Sequence, residues 1–143
     1  DRLAKEDNIN IDSFVALLPT SPLRLSKDID NAIEIFSEKK ADSVISVTDS
    51  EVPAEWYRRI NNSGMLEEYF TNTNATQNRQ KYNRSYIPNG AIYIFNTEKL
   101  RISREYYMDQ TYPLEMPRER SIDIDEILDF EWAEFLIQKL NGK

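Results

Sequence analysis

The order strand, helix, strand between residues 13 and 48 constrains this chain more than any other feature of its sequence. "SFVALL" (13–18) is a short, nearly all-apolar run, the mark of a strand covered on both faces. Ile29, Ala32, Ile33 and Phe36 follow at i, i+3, i+4 and i+7, which puts one apolar face on a helix from about 27 to 39. Ser26 suits the N-cap of that helix, and Asp28 the positive end of its dipole. "DSVISVT" (42–48) reads as the next strand. A βαβ unit of this kind is parallel and right-handed. A covered strand needs neighbours in a parallel sheet, and few lie downstream. The expectation is that residues 1–143 are the C-terminal part of a larger α/β protein.

The middle of the chain has a different texture. "EWYRRI" (55–60), the turn "NNSG" (61–64) and "MLEEYF" (65–70) predict a hairpin with polar, edge-like strands. The polar stretch from about 71 to 88 contains Arg79, Lys81 and Arg84. It is too long for an idle connector, which points to a binding loop or a subunit contact. "NGAIYIFN" (89–96) reads as a strand opened by Asn-Gly, and "TEKLRISREYYMDQTYPLEMP" as a short helix and one more strand. A last helix from about 126 to 140 carries Ile127, Leu128, Ala133, Phe135, Leu136 and Leu140, stopping at Asn141-Gly142.

Composition narrows the chemistry. With 25 acidic against 18 basic residues and a net charge of -7, the chain lacks the basic field of a general nucleic-acid binder. It has no Cys and no His, so it supplies neither a Ser–His–Asp triad nor a thiolate or imidazole metal site. A metal held here must be held by oxygen, which selects Mg²⁺, Mn²⁺ or Ca²⁺. The absence of cysteine fits a reducing compartment, the cytoplasm. Apolar runs of about five residues predict no membrane-crossing segment.

Two stretches carry oxygen ligands where ligands bind in α/β sheets, beyond the carboxyl ends of strands. "PTSPLR" (19–24) encloses Thr20 and Ser21 between prolines, either as a structural turn or as a ligand-bonding loop. In "RSIDIDE" (120–126), Ser121, Asp123 and Asp125 alternate with Ile122 and Ile124. On a strand the oxygen-bearing side chains would share one face. Either Asp125 is only a helix N-cap and Asp123 a solvated residue, or the two carboxylates hold a divalent cation against a phosphate.

Taken together, "LLPTSPLR" (17–24), "DSVISV" (42–47), "NRQ" (78–80), "PNGAIYIF" (88–95) and "SIDIDE" (121–126) occur in the order and spacing of the CMP-sialic acid synthetases. The chain resembles these acylneuraminate cytidylyltransferases over nearly its whole length, without their N-terminal triphosphate loop. The resemblance implies a three-layer nucleotide-diphospho-sugar transferase fold, Rossmann-like, truncated at its N-terminus. It implies a hairpin and loop region at about 52–88 that serves dimerisation and substrate binding. The implied reaction is transfer of CMP from CTP to a nine-carbon acidic sugar of sialic, legionaminic or pseudaminic type, with release of pyrophosphate. By the same resemblance Asp123 and Asp125 are the catalytic ligands of Mg²⁺ or Mn²⁺, and Thr20, Ser21, Arg79, Asn89 and Tyr93 lie near the sugar. A homodimer is implied, with no nucleic acid or membrane partner, and this stretch alone is expected to be inactive. The nearest alternatives are a cytidylyltransferase for another keto-deoxy sugar acid and a non-catalytic dimerisation module that kept the fold. Leu18 stands where the family usually has Gln, and Ile87 where many members have Arg, so the sugar itself does not follow from the resemblance.

Overall fold

The computed structural model describes residues 10–70, 84–140 and 142. Its elements, in chain order, are β1 (Ser13–Ala16), α1 (Ser26–Glu38), β2 (Ser43–Asp49), β3 (Arg58–Ile60), β4 (Leu66–Glu68), β5 (Tyr86–Asn96), α2 (Thr97–Ser103), β6 (Thr111–Glu115) and α3 (Ile127–Leu140). The described chain divides into two compact units, one of residues up to Thr48 and from Pro88 onward, the other Asp49–Ile87.

The first unit holds a four-stranded sheet in the order β1-β5-β2-β6. β5 runs antiparallel to β1, with Ala16 opposite Tyr93 and Phe14 opposite Phe95. It also runs antiparallel to β2, since Asn96 donates to the Asp42 carbonyl while Ser50 donates to the Ser85 carbonyl. β2 and β6 are parallel. β1 and β2 therefore share a direction, as the βαβ reading expected, but β5 lies between them. The sheet is mixed rather than all parallel.

The amphipathic pattern of residues 26–38 does form a helix. Its cap is Leu25 rather than Ser26, and the Asp28 carboxylate accepts the Leu25 N–H at 2.8 Å, which satisfies one of the amides a helix start leaves open. Ala32 is buried, and Ile29, Ile35 and Phe36 pack against Val44, Ile92, Ile94, Leu114 and Met116. Ile33, expected on that face, is exposed, and Ile35 takes its place. β2, with Val44, Ile45 and Val47 among polar residues, is buried over most of its length, as a strand with neighbours on both sides should be.

Among the described residues β1 pairs with β5 alone, and Phe14 and Val15 are exposed in this chain. Two expectations need correction. Residues 121–125 form no strand. Period-two alternation gives a strand only where a ladder partner exists, and here the segment is tied instead by single bonds to other elements. Asn89 and Gly90 do not open a strand but sit inside β5, where Gly90 has φ +72°. On α3 only Ala133 and Leu136 are buried, while Ile127, Leu128, Phe135 and Leu140 are exposed.

In the second unit, β3 and β4 form the expected antiparallel hairpin, with Arg59 opposite Glu67 and Ile60 opposite Leu66. The Asn61 side chain accepts the N–H groups of Ser63 and Met65, and Gly64 supplies the left-handed residue at φ +77° that such a turn requires. The strands are shorter than expected, since Ala54–Trp56 forms a turn of 3₁₀ helix. The long polar stretch lies mostly outside the described residues.

Candidate active site

The proline-bounded loop after β1 is held from both sides. The Arg24 guanidinium donates to the Leu18 carbonyl at 3.0 Å and to the Ala91 carbonyl at 2.7 Å. Ser21 is almost fully buried, and its hydroxyl donates to the Asn89 carbonyl at 3.4 Å. The Thr20 carbonyl accepts the Ile124 N–H at 2.9 Å. These bonds bring residues 18–24, the middle of β5 and the segment 121–125 together across about seventy to a hundred residues of sequence.

β5 contributes Asn89, Gly90 and Tyr93. The buried Asn89 side chain accepts from the Ser46 hydroxyl at 2.6 Å and from the Ala91 N–H at 3.2 Å. It donates to the Ser121 hydroxyl at 2.8 Å. The Ser46 hydroxyl in turn accepts the Ile92 N–H at 2.7 Å, and that of Ser121 donates to the Pro117 carbonyl at 2.9 Å. A buried amide must be paired in this way or destabilise the fold.

Gly90 explains how a carboxylate comes so close. A Cβ built on it would lie 2.9 Å from Asp123 Oδ2 and 3.3 Å from Leu18 Cδ1. Only a residue without a side chain, free to adopt positive φ, leaves room there for the Asp123 head group. Asp123 is partly buried, and its Oδ1 is buried without a hydrogen-bond partner. An unpaired carboxylate oxygen out of water is costly and marks a place where something else should bind. Tyr93, stacked on Phe95 and tilted against Tyr106, has its phenol pushed above the ordinary value, first by burial and then by Tyr107, Asp123 and Tyr106. At neutral pH it is an uncharged donor beside a carboxylate.

Asp125 is exposed, and it is not the cap of α3. The Asp129 carboxylate reaches back instead, accepting the N–H groups of Asp125 and Glu126 at 3.1 and 2.9 Å. Of the residues singled out from sequence, Thr20, Ser21, Asn89, Tyr93 and Asp123 thus meet in one place, with Asp125 two residues further along the same segment. Arg79 lies outside the described residues. Sequence reasoning gave no role to Ser46, Arg24 and Arg120, and took Gly90 only as part of the Asn-Gly pair that opens a strand. A serine between Ile45 and Val47 was the available signal for Ser46. Nothing local marks Arg24 or Arg120.

The donor set suits a hard divalent cation: carboxylate oxygens only, one of them buried and unpartnered. Among the described residues there is no cluster of three or more acidic side chains that could hold a metal by themselves.

No family model matches the chain. It is 35% identical over 135 residues to the N-acylneuraminate cytidylyltransferase of Escherichia coli O18:K1:H7 (strain RS218 / NMEC), covering 91% of this chain and 31% of that protein. It is 33% identical over 125 residues to the enzyme of the same name from Streptococcus agalactiae serotype V, covering 87% of this chain and 29% of the relative. The CMP-N,N'-diacetyllegionaminic acid synthase of Legionella pneumophila is 32% identical over 134 residues, 92% of this chain and 56% of the relative. The chain thus spans about a third of the length of the first two relatives and about half of the third. These matches make the chain a homologue of one portion of proteins named N-acylneuraminate cytidylyltransferase and CMP-N,N'-diacetyllegionaminic acid synthase.

Proposed function

We propose that this chain supplies the sugar-side and metal-holding part of a cytidylyltransferase that joins CMP from CTP to a nine-carbon acidic sugar. The sugar's anomeric hydroxyl oxygen bonds to the α-phosphorus, the bond to the β-phosphate oxygen breaks, and pyrophosphate leaves. The observation that carries this reading is the buried, unpartnered Oδ1 of Asp123 beside Gly90 and Tyr93, on a chain homologous to sialic and legionaminic acid cytidylyltransferases.

Asp123, with Asp125 beside it in sequence, would hold Mg²⁺ or Mn²⁺, whose charge offsets that of the phosphoryl oxygens as pyrophosphate departs. Asp123 itself acts by being fixed in place, since a group already positioned need not reorganise during the reaction. Tyr93 keeps its proton and can donate to the acidic sugar. Thr20 and Ser21 border the same place from the loop. Asn89 keeps the loop and the Asp123 segment in register through Ser21 and Ser121. Arg79 is proposed as a cation for the sugar's carboxylate. The fold is proposed to be the Rossmann-like nucleotidyltransferase type. The hairpin of the second unit, where Met65, Leu66 and Tyr69 are exposed, is proposed as a homodimer surface. No helix among the described residues is long and apolar enough to cross a membrane, and a cysteine-free chain is at home in the cytoplasm.

The test is Mg²⁺-dependent pyrophosphate release from CTP by the complete protein with sialic, legionaminic and pseudaminic acids in turn. Release with at least one is expected. Release only with an eight-carbon keto-deoxy acid would move the substrate class, and none with any sugar acid would leave the non-catalytic module.

A further inference from the structure

The segment that carries Asp123 has no ladder and no helix to hold it, yet the Asp123 carboxylate lies tightly against the β5 backbone. Three attachments tie it to elements distant in sequence. Ser121 is held by Asn89, and Ile124 by the Thr20 carbonyl. The third is ionic: the Arg120 guanidinium bonds the Asp28 carboxylate, with side chains only 18% and 9% exposed. Asp28 is not a passive partner, since the same oxygen accepts the Leu25 N–H at 2.8 Å and so closes the first turn of α1. Leu25 ends the loop that contains Thr20 and Ser21. One buried carboxylate therefore ties the end of that loop to the residue three positions before Asp123.

We infer that the Arg120–Asp28 ion pair is a positioning clamp that holds Asp123 in its cation-binding place and keeps it in register with the Thr20–Ser21 loop. This rests on the reading of Asp123 as a cation ligand. A buried pair of this kind need contribute little to net stability, because desolvation offsets attraction. What it supplies is a fixed geometry, and arginine does this better than lysine because its planar fork restricts direction. The clamp predicts that loss of Arg120 is felt at residues 121–124 more than in the sheet core.

The experiment uses Arg120→Met, Arg120→Lys and Asp123→Asn in the complete protein, with Mn²⁺ as the probe, read by amide hydrogen exchange and by Mn²⁺ titration. Arg120→Met should speed exchange at the Ile124 amide by about tenfold or more relative to the core amides of Ile92 and Ile94. It should weaken Mn²⁺ binding by a similar factor, with Arg120→Lys recovering part of both. Parallel acceleration at Ile124, Ile92 and Ile94 would show a merely structural pair and overturn the clamp. Unchanged Mn²⁺ affinity despite a loosened Ile124 would overturn its positioning role. Equal Mn²⁺ binding by the wild type and Asp123→Asn would refute the cation reading itself, and the positioning role with it.

Discussion

The place around Asp123 and the β3–β4 hairpin are built on opposite plans. The hairpin is local: Arg59 meets Glu67 at 2.7 Å, Asn61 closes its own turn, and every strand residue is exposed or half-buried. The site is non-local: the buried Ser46 and Asn89 and the half-buried Ser121 form one network, and Arg120 reaches Asp28 ninety-two positions away. The difference teaches where a substitution should hurt. In the hairpin, one side chain lost leaves its neighbours to water. Around Asp123, one side chain lost leaves buried polar groups without partners, and those cannot turn to solvent.

The largest expected effect is on turnover. Asp123→Asn keeps the shape of the side chain but removes the charge. Mg²⁺-dependent CTP consumption by the complete protein should fall by about a hundredfold or more, while the melting temperature holds or rises, since an unpaired buried charge is relieved. Asp125→Asn should also lower consumption. Wild-type activity in both variants would return the two aspartates to the role of solvated surface residues.

Next in size is Asn89→Ala, measured by urea denaturation. It strips partners from Ser46, Ser121 and the Ala91 N–H, and a loss of about 2–4 kcal/mol is expected from buried groups left unpaired. Gly90→Ala should cost about 1–3 kcal/mol, combining left-handed backbone strain with the clash at Asp123. In an Asp123→Gly background part of that cost should vanish, because one of the clashing atoms is gone. A cost that stays the same would mean the backbone alone is responsible.

The contrast also explains what could be read from the sequence. The helix α1, the buried β2, the short helix α2 and the hairpin each depend on spacing or turn chemistry within about fifteen residues, and all were legible. The insertion of β5 between β1 and β2 was not, because strand order depends on what lies beside a strand in space. The "SIDIDE" alternation suggested a strand, and the oxygen-bearing residues were worth attention even though no strand forms. Asp123 was legible as a residue type. Its backing by Gly90 and its tie through Arg120 were not, since neither leaves a pattern within the segment.

The smallest effects belong to the hairpin. Leu66→Ser changes an exposed side chain and should shift stability by under about 0.5 kcal/mol. If the hairpin is a dimer surface, the same variant should lower the mass seen by light scattering at tens of micromolar. Glu67 has its carboxyl held below the ordinary value by the Asn61 and Arg59 hydrogen bonds. A depressed folded-state value stabilises at pH above the unfolded value and is lost as pH falls through the folded one. Hairpin signals should therefore loosen on acidification below the usual carboxylate range, and Glu67→Gln should flatten that dependence.

The most direct test of Asp123 as a cation ligand is paramagnetic broadening by substoichiometric Mn²⁺ in the complete protein. The amides of Gly90 and Ile124, which flank Asp123 in space and in sequence, should broaden first, and Asp123→Asn should abolish the effect. Broadening that begins elsewhere, or that persists unchanged in Asp123→Asn, would contradict the assignment of the cation to this carboxylate.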